Sequence, residues 1–110
     1  MKKIKVAFFS IPAKEKNYLS KRFDKSKYEL FFFKEELSPE ASILKQIDVL
    51  SVFIYDRVDK TIIDKAKNLK LIATRSTGYN HIDIEYAKKK NISVCNVPYY
   101  GENTVAEHTF

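Results

Sequence analysis

Leu69-Lys70-Leu71-Ile72-Ala73-Thr74-Arg75-Ser76-Thr77-Gly78-Tyr79-Asn80-His81-Ile82-Asp83 is the stretch whose reading decides the fold. It opens on Leu71 to Arg75, a short apolar run of the kind that forms a buried strand. It ends on Asp83, a residue type whose carboxylate caps helix amides, ahead of a short helical pattern through Tyr86 and Ala87. Three lysines, Lys88 to Lys90, carry the charge that suits a helix C-terminus, and Asn91 is a residue type that tolerates a left-handed stop. Ile92 to Asn96 then reads as the next strand. Strand, loop, helix, strand with short links is a parallel unit, because parallel neighbours need a crossover.

Outward from that unit the same alternation recurs. Lys3 to Phe9 and Tyr28 to Phe33 read as strands, the second rich in aromatics. Between them Lys16 to Lys25 places Tyr18, Leu19, Arg22 and Phe23 on one helical face. Ser38 as cap and Pro39 at the first helical position predict a helix carrying Ile43, Leu44 and Ile47. Val49 to Ile54 reads as a strand, and Asp59 caps a helix through Ile62, Ile63 and Ala66. Five strands, four helices and no hairpin signal define an α/β fold: an open, flavodoxin-like parallel five-stranded sheet with helices on both faces. In such a sheet functional groups gather at the carboxyl ends of the strands. The loops that matter are therefore 10–16, 34–38, 55–59, 76–82 and 97–103.

Composition bounds the alternatives. The chain has 110 residues, 45% hydrophobic and 31% charged, with two glycines and three prolines, which excludes collagen-like and disordered classes. A chain of this size buries roughly 60–70% of its unfolded surface, enough for a core without staples. The single cysteine, Cys95, forbids an internal disulfide and cannot build a cysteine metal site, so a reducing, cytoplasmic setting is expected, with no metal. No apolar run approaches the roughly 20 residues of a membrane span. The basic and then apolar start, Met1 to Ala13, is interrupted by Ser10 and Pro12 and lacks a small-x-small cleavage site, so it reads as a first strand rather than a signal peptide.

The net charge of +6 is unevenly placed. Residues 1–34 hold ten basic and three acidic side chains (10 − 3 = +7), and residues 35–110 hold ten and eleven (10 − 11 = −1). The excess lies on the segment with Lys14, Lys16, Lys21, Arg22, Lys25 and Lys27. Seventeen of the twenty basic residues are lysine, whereas base readout and bidentate phosphate contacts favour arginine. A solvated helix face is the better reading than a nucleic-acid surface.

Two loops carry chemistry. After the fourth strand, Gly78 sits where a missing side chain lets successive amides at Ser76, Thr77 and Gly78 hold a carboxylate. A tight turn with Asp83 as cap accounts for Gly78 and Asp83 equally well. After the fifth strand, Val97-Pro-Tyr-Tyr-Gly-Glu-Asn103 leads to Thr104-Val-Ala-Glu107, which matches a capping box. That helix has about six residues before Phe110 and no stop signal, well short of the ~12–15 needed for marginal independent stability. The chain therefore reads as the front part of something larger.

Three blocks in order, Leu69 to Asp83, Ala87 to Pro98 and Thr104 to Thr109, resemble the D-isomer-specific 2-hydroxyacid dehydrogenases, most closely the D-lactate dehydrogenase branch. The resemblance implies a substrate-side catalytic domain over 1–102, and over 103–110 the start of a helix leading to an NAD-binding domain. It implies that the Ser76-Thr77-Gly78 loop offers amides to the substrate carboxylate. It also implies that Tyr55 lines the pocket near the substrate's side chain, and that Tyr100 stands at the pocket mouth. Val105 then packs near the nicotinamide, and Glu107 is the capping glutamate. Gly101 departs from the serine often found after that tyrosine. NAD as cofactor, a small 2-hydroxy or 2-oxo acid such as lactate as substrate, and a homodimer for the full-length enzyme follow from the same resemblance.

No catalytic residue is expected in this chain. The family's catalytic histidine, its carboxylate partner and its substrate-clamping arginine match no position here, and no G-x-G-x-x-G occurs. His81 reads as a loop residue, His108 as packed along the linker helix, and Arg75 as a structural ion pair rather than the clamp. The chain alone is expected to be inactive. A receiver module would need clustered carboxylates at the first and third strand ends, where only Asp56 fits. A flavodoxin-type mononucleotide binder would need a glycine in Ser10 to Lys16, which has none.

Overall fold

Side chains alternate across the first strand, β1 (Ile4–Phe8), and thereby define two cores. Val6 and Phe8 join Ile11 and Leu19 on one face, while Ala7, followed by Phe9, joins the larger cluster on the other. The computed structural model describes residues 2–76 and 78–96. Its elements follow in order as α1 (Ala13–Ser20), β2 (Tyr28–Phe32), a single 3-10 turn (Ser42–Lys45), β3 (Val49–Val52), α2 (Lys60–Lys65), β4 (Leu71–Thr74), α3 (Ile84–Lys89) and β5 (Ser93–Asn96). All strand pairings are parallel, in the order β2-β1-β3-β4-β5.

Helices cover both faces, as the alternation predicts. Leu19 of α1 packs on Val6 and Phe8. On the opposite face Leu44 and Ile47, Ile62 and Ile63 of α2, and Ala87 of α3 pack on Ala7, Leu50, Val52 and Ile72. The aromatic run of β2 is used twice. Phe32 stacks on Phe8 at 4.9 Å and Phe33 on Phe9 at 4.6 Å, the rings of each pair nearly parallel. Adjacent strands thus add ring contacts to their ladder on both sides of the sheet.

The short helices are held by their ends. Asp59 accepts from the Ile62 amide and Asp83 from the Tyr86 amide, the two caps expected from the sequence. Asn91 adopts φ 62°, and the Ile92 amide returns to the Ala87 carbonyl at 2.9 Å, a left-handed stop as the residue type suggests.

Two helices differ from expectation. The segment after Ser38 forms no α-helix. The Ser38 hydroxyl accepts from the Glu40 amide two residues on and the Ala41 amide bonds the Ser38 carbonyl, so the chain closes a local turn where a cap would open a helix. Only the 3-10 turn remains, enough to bury Leu44 beside Ile47. The first helix starts three residues before Lys16 and ends at Ser20, because Asp24 collects the Ser26 amide and hydroxyl and its carbonyl takes the Lys27 and Tyr28 amides. Phe23 still packs edge-on against Phe8 and Tyr28 from that turn. The described residues therefore hold three α-helices and one 3-10 turn in place of four helices.

The basic face is solvated. Lys14, Lys16, Lys21, Arg22, Lys25 and Lys27 are all exposed, with Lys16 over the Phe32 ring and Arg22 over Tyr18. No helix among the described residues is long and apolar enough to cross a membrane.

Leu50 is wholly buried in the strand between β1 and β4. Leu50→Ala is expected to lower unfolding free energy by about 2–5 kcal/mol. Asp83→Ala should cost only about 1 kcal/mol through the lost cap. Urea denaturation of the two variants checks the ranking, and equal losses would contradict it.

Candidate functional site

The carboxyl ends of β1, β3 and β4 meet where the strand order changes direction, between β1 and β3. Three buried polar side chains assemble that edge. Arg75 follows β4 directly, and its amide bonds the Val52 carbonyl of β3 at 2.8 Å. Its guanidinium crosses β3 at the small Ser51, donating to Ser51 Oγ at 3.0 Å, and reaches the carbonyls of Phe9 and Ser10 after β1. Glu15 of α1 lies 3.7 Å from Arg75 Nε. With 5% of its surface exposed, Arg75 binds the fold together and is not placed to clamp a substrate, in line with the ion-pair reading.

Asp56 is the second. Its carboxylate is fully buried and accepts from Ser10 Oγ at 2.7 Å, the Leu37 amide at 2.7 Å and the Phe53 amide at 2.8 Å. Ser10 pays for its place with a left-handed φ of 53°, a conformation sustained by the Asp56 contact and by its amide bond to the Glu35 carbonyl. Asp56 is thus occupied by three donors, which removes the exposed acceptor carboxylate a receiver module needs. The same Asp56 to Phe53 contacts close the turn that turns Tyr55 outward, 63% exposed with its ring edge-on to Phe53 at 5.5 Å.

The third is a run of hydroxyls. Thr74 Oγ1 lies 2.8 Å from His81 Nε2 and 2.7 Å from Ser76 Oγ, which donates to the Gly78 carbonyl at 3.0 Å. His81 also fastens the β3 and β4 loops to each other. Its carbonyl takes the Val58 amide at 2.8 Å, and the Asp83 amide returns to the Val58 carbonyl at 2.9 Å. Burial holds the His81 imidazole below its ordinary pKa, opposed by the nearby Asp56 charge.

Of the residues expected at the site, Ser76, Gly78 and Tyr55 lie at the ends of the adjacent strands β3 and β4. Thr77, Tyr100 and Val105 fall outside the described residues, as do Gly101, Glu107, His108 and the 102/103 domain boundary. Gly78 has no positive φ, so the left-handed turn that would demand glycine is not what it serves. A Cβ built there meets nothing within 4 Å and projects into open space. Among the described residues, the amides of Ser76 and Gly78 donate to no carbonyl, and no buried side-chain polar atom lacks a partner. The Ser76 and Gly78 amides are therefore among the donors this edge offers a ligand.

Reading the sequence alone missed Ser10, Asp56 and Thr74. The signal for Thr74 was present: Thr74 and Ser76 are two apart on extended chain and so share a face. For Asp56 and Ser10, 46 residues apart, no local signal exists.

No three His, Cys, Asp or Glu side chains gather to hold a metal among the described residues. Nor does a dinucleotide cradle fit. The β1-to-α1 turn has no glycine, and its Phe9, Ser10 and Ile11 amides already donate to the Ser51, Glu35 and Phe33 carbonyls.

Residues 6–110 match the family described as D-isomer specific 2-hydroxyacid dehydrogenase, catalytic domain. The chain belongs to this family. It is 36% identical over 109 residues to 2-hydroxyacid dehydrogenase homolog 1 of Schizosaccharomyces pombe, covering 96% of this chain and 33% of that protein. Among solved structures, the D-lactate dehydrogenase of Aquifex aeolicus, complexed with NAD and lactic acid, superposes with a TM-score of 0.78 at 37% identity over 96% of this chain and 31% of that one. The Escherichia coli D-lactate dehydrogenase gives 0.78 at 29% identity, over 96% and 34%. The chain spans about a third of the length of these relatives. This dehydrogenase domain has the five-stranded parallel architecture its family shares.

Because burial depresses the His81 pKa, the unfolded chain binds more protons than the folded one as pH falls below about 6.5. Stability is therefore expected to fall with acidification through that range, and less steeply in His81→Gln. Thermal melts at stepped pH check this, and parallel profiles for the two proteins would contradict it. Arg75→Met leaves the Phe9 and Ser10 carbonyls without their donor and should cost about 1–3 kcal/mol. Arg75→Lys should restore little of it, since a point charge does not reproduce the guanidinium fork. Chemical denaturation of both variants is the check.

Proposed function

We propose that this domain forms the substrate-side wall of an NAD-dependent enzyme that interconverts a small D-2-hydroxy acid and its 2-oxo acid, lactate and pyruvate being the size of substrate intended. The observation that carries the proposal is the edge at Ser76 and Gly78, where amides without carbonyl partners border the open space at the Gly78 Cβ position. Unpartnered amides close together in one loop suit a carboxylate, and every substrate of this class has one. Tyr55, on the neighbouring strand end, then faces the rest of the substrate. Thr77 and Tyr100 belong to the same proposed substrate site, and Val105 to the cofactor side.

The chain's own part is to bind and orient. NAD would be held by a domain other than this one, and the proton-transferring histidine, its carboxylate partner and the clamping arginine would come from that side. A homodimer and a cytoplasmic setting are part of the same reading for the complete enzyme. The 110-residue chain mixed with D-lactate and NAD is expected to produce no NADH, and absorbance growing at the NADH band would overturn that expectation.

Gly78→Ala separates site from scaffold. The added methyl meets no protein atom and the backbone accepts an L residue, so stability should hold or rise by up to about 1 kcal/mol. In the dehydrogenase carrying this domain, the same methyl enters the space assigned to the carboxylate. KM for the 2-oxo acid should rise about tenfold, equivalent to about 1.4 kcal/mol of binding. An unchanged KM in a stable Gly78→Ala enzyme removes the carboxylate from this loop.

A further inference from the structure

We propose that His81 is a positioning residue for the carboxylate loop, acting through a one-way chain of hydrogen bonds that runs from His81 Nε2–H to Thr74 Oγ1, to Ser76 Oγ and to the Gly78 carbonyl. The inference rests on the carboxylate-site reading above and adds the residues that hold that site in shape.

The direction follows from counting protons. A carbonyl oxygen only accepts, so the 3.0 Å contact at Gly78 takes the single hydroxyl proton of Ser76. Ser76 Oγ must then accept at its 2.7 Å contact with Thr74, which uses the single hydroxyl proton of Thr74. Thr74 Oγ1 must in turn accept at its 2.8 Å contact with His81, so Nε2 carries the proton. Any reversed link leaves two oxygens facing each other without a hydrogen. Neutral His81 is thereby confined to one tautomer, and its Nδ1 is left as the acceptor.

The chain ends on the peptide that joins Gly78 to Tyr79. The Ser76 Oγ to Gly78 carbonyl bond ties the two ends of the three-residue loop together and so holds the Ser76 and Gly78 peptides in a fixed relation, and successive bonds along the chain reinforce one another. Thr74 is fully buried and Ser76 is 6% exposed, so water does not compete for the link between the two hydroxyls. The His81 carbonyl is held separately by Val58, which anchors the ring at the start of the chain. The histidine that the sequence reading placed as a loop residue thus sets the shape of the loop that meets the anion without touching the anion itself.

The test has two parts. In the 110-residue chain the only other histidine is His108, so nitrogen-15 spectra of the imidazoles, compared with His81→Gln, assign His81 directly. At neutral pH the proton is expected on Nε2, and a proton on Nδ1 overturns the proposal. In the dehydrogenase carrying the domain, Thr74→Val and His81→Leu should each raise KM for pyruvate about three- to tenfold with kcat within about twofold, and the double variant should be no worse than the worse single one. This size is that of one buried neutral hydrogen bond. Thr74→Ser and His81→Gln, which keep a donor at the same place, should return KM to near wild type. Loss of kcat and KM together without rescue by the conservative variants marks a merely structural role and overturns the proposal. If Gly78→Ala raises KM while Thr74→Val and His81→Leu do not, the relay fails and the carboxylate site stands. If Gly78→Ala also leaves KM unchanged, the site reading fails and the relay loses its function with it.

Discussion

The buried guanidinium of Arg75 is the contact on which the functional edge depends. It leaves the end of β4, crosses β3 at Ser51 and binds the carbonyls that end β1, so one side chain fixes three strand ends relative to one another. Those carbonyls lie beyond the sheet ladder, where no neighbouring strand satisfies them, and an unpartnered buried carbonyl is costly. At the crossing the guanidinium donates to the buried Ser51 hydroxyl.

Around that crossing, each loop at the edge is tied to another. Asp56 joins the loop after β1 to the turn at Leu37 and to its own loop after β3. The Val58 and His81 pairing joins the loop after β3 to the loop after β4. Among the described residues, every side-chain polar group buried there has a partner.

Much of the fold was legible in the sequence for local reasons. Strand-length apolar runs, the caps Asp59 and Asp83 and the stop at Asn91 each act within a few residues, and each is where the sequence placed it. The failures were local too. Ser38 has the chemistry of a helix cap and of a tight turn, and the Glu40 amide decided for the turn. The lysine-rich segment, by contrast, was read as a solvated helix face, and its basic side chains are exposed on α1 and the turn after it.

The sequence by itself determined the order of the five strands, two of the helix caps and the loops worth inspecting, because periodicity and capping are written in neighbouring residues, and three motif blocks carried the resemblance to the family. The tertiary structure decided what Arg75, Asp56 and His81 do. Arg75 meets Phe9 across 66 positions, Asp56 meets Ser10 across 46, and the His81 that meets Thr74 has its carbonyl held by the Val58 amide from the loop after β3. A polar side chain carries no mark of its partner along the chain. Only strand pairing, by burying it, forces the choice.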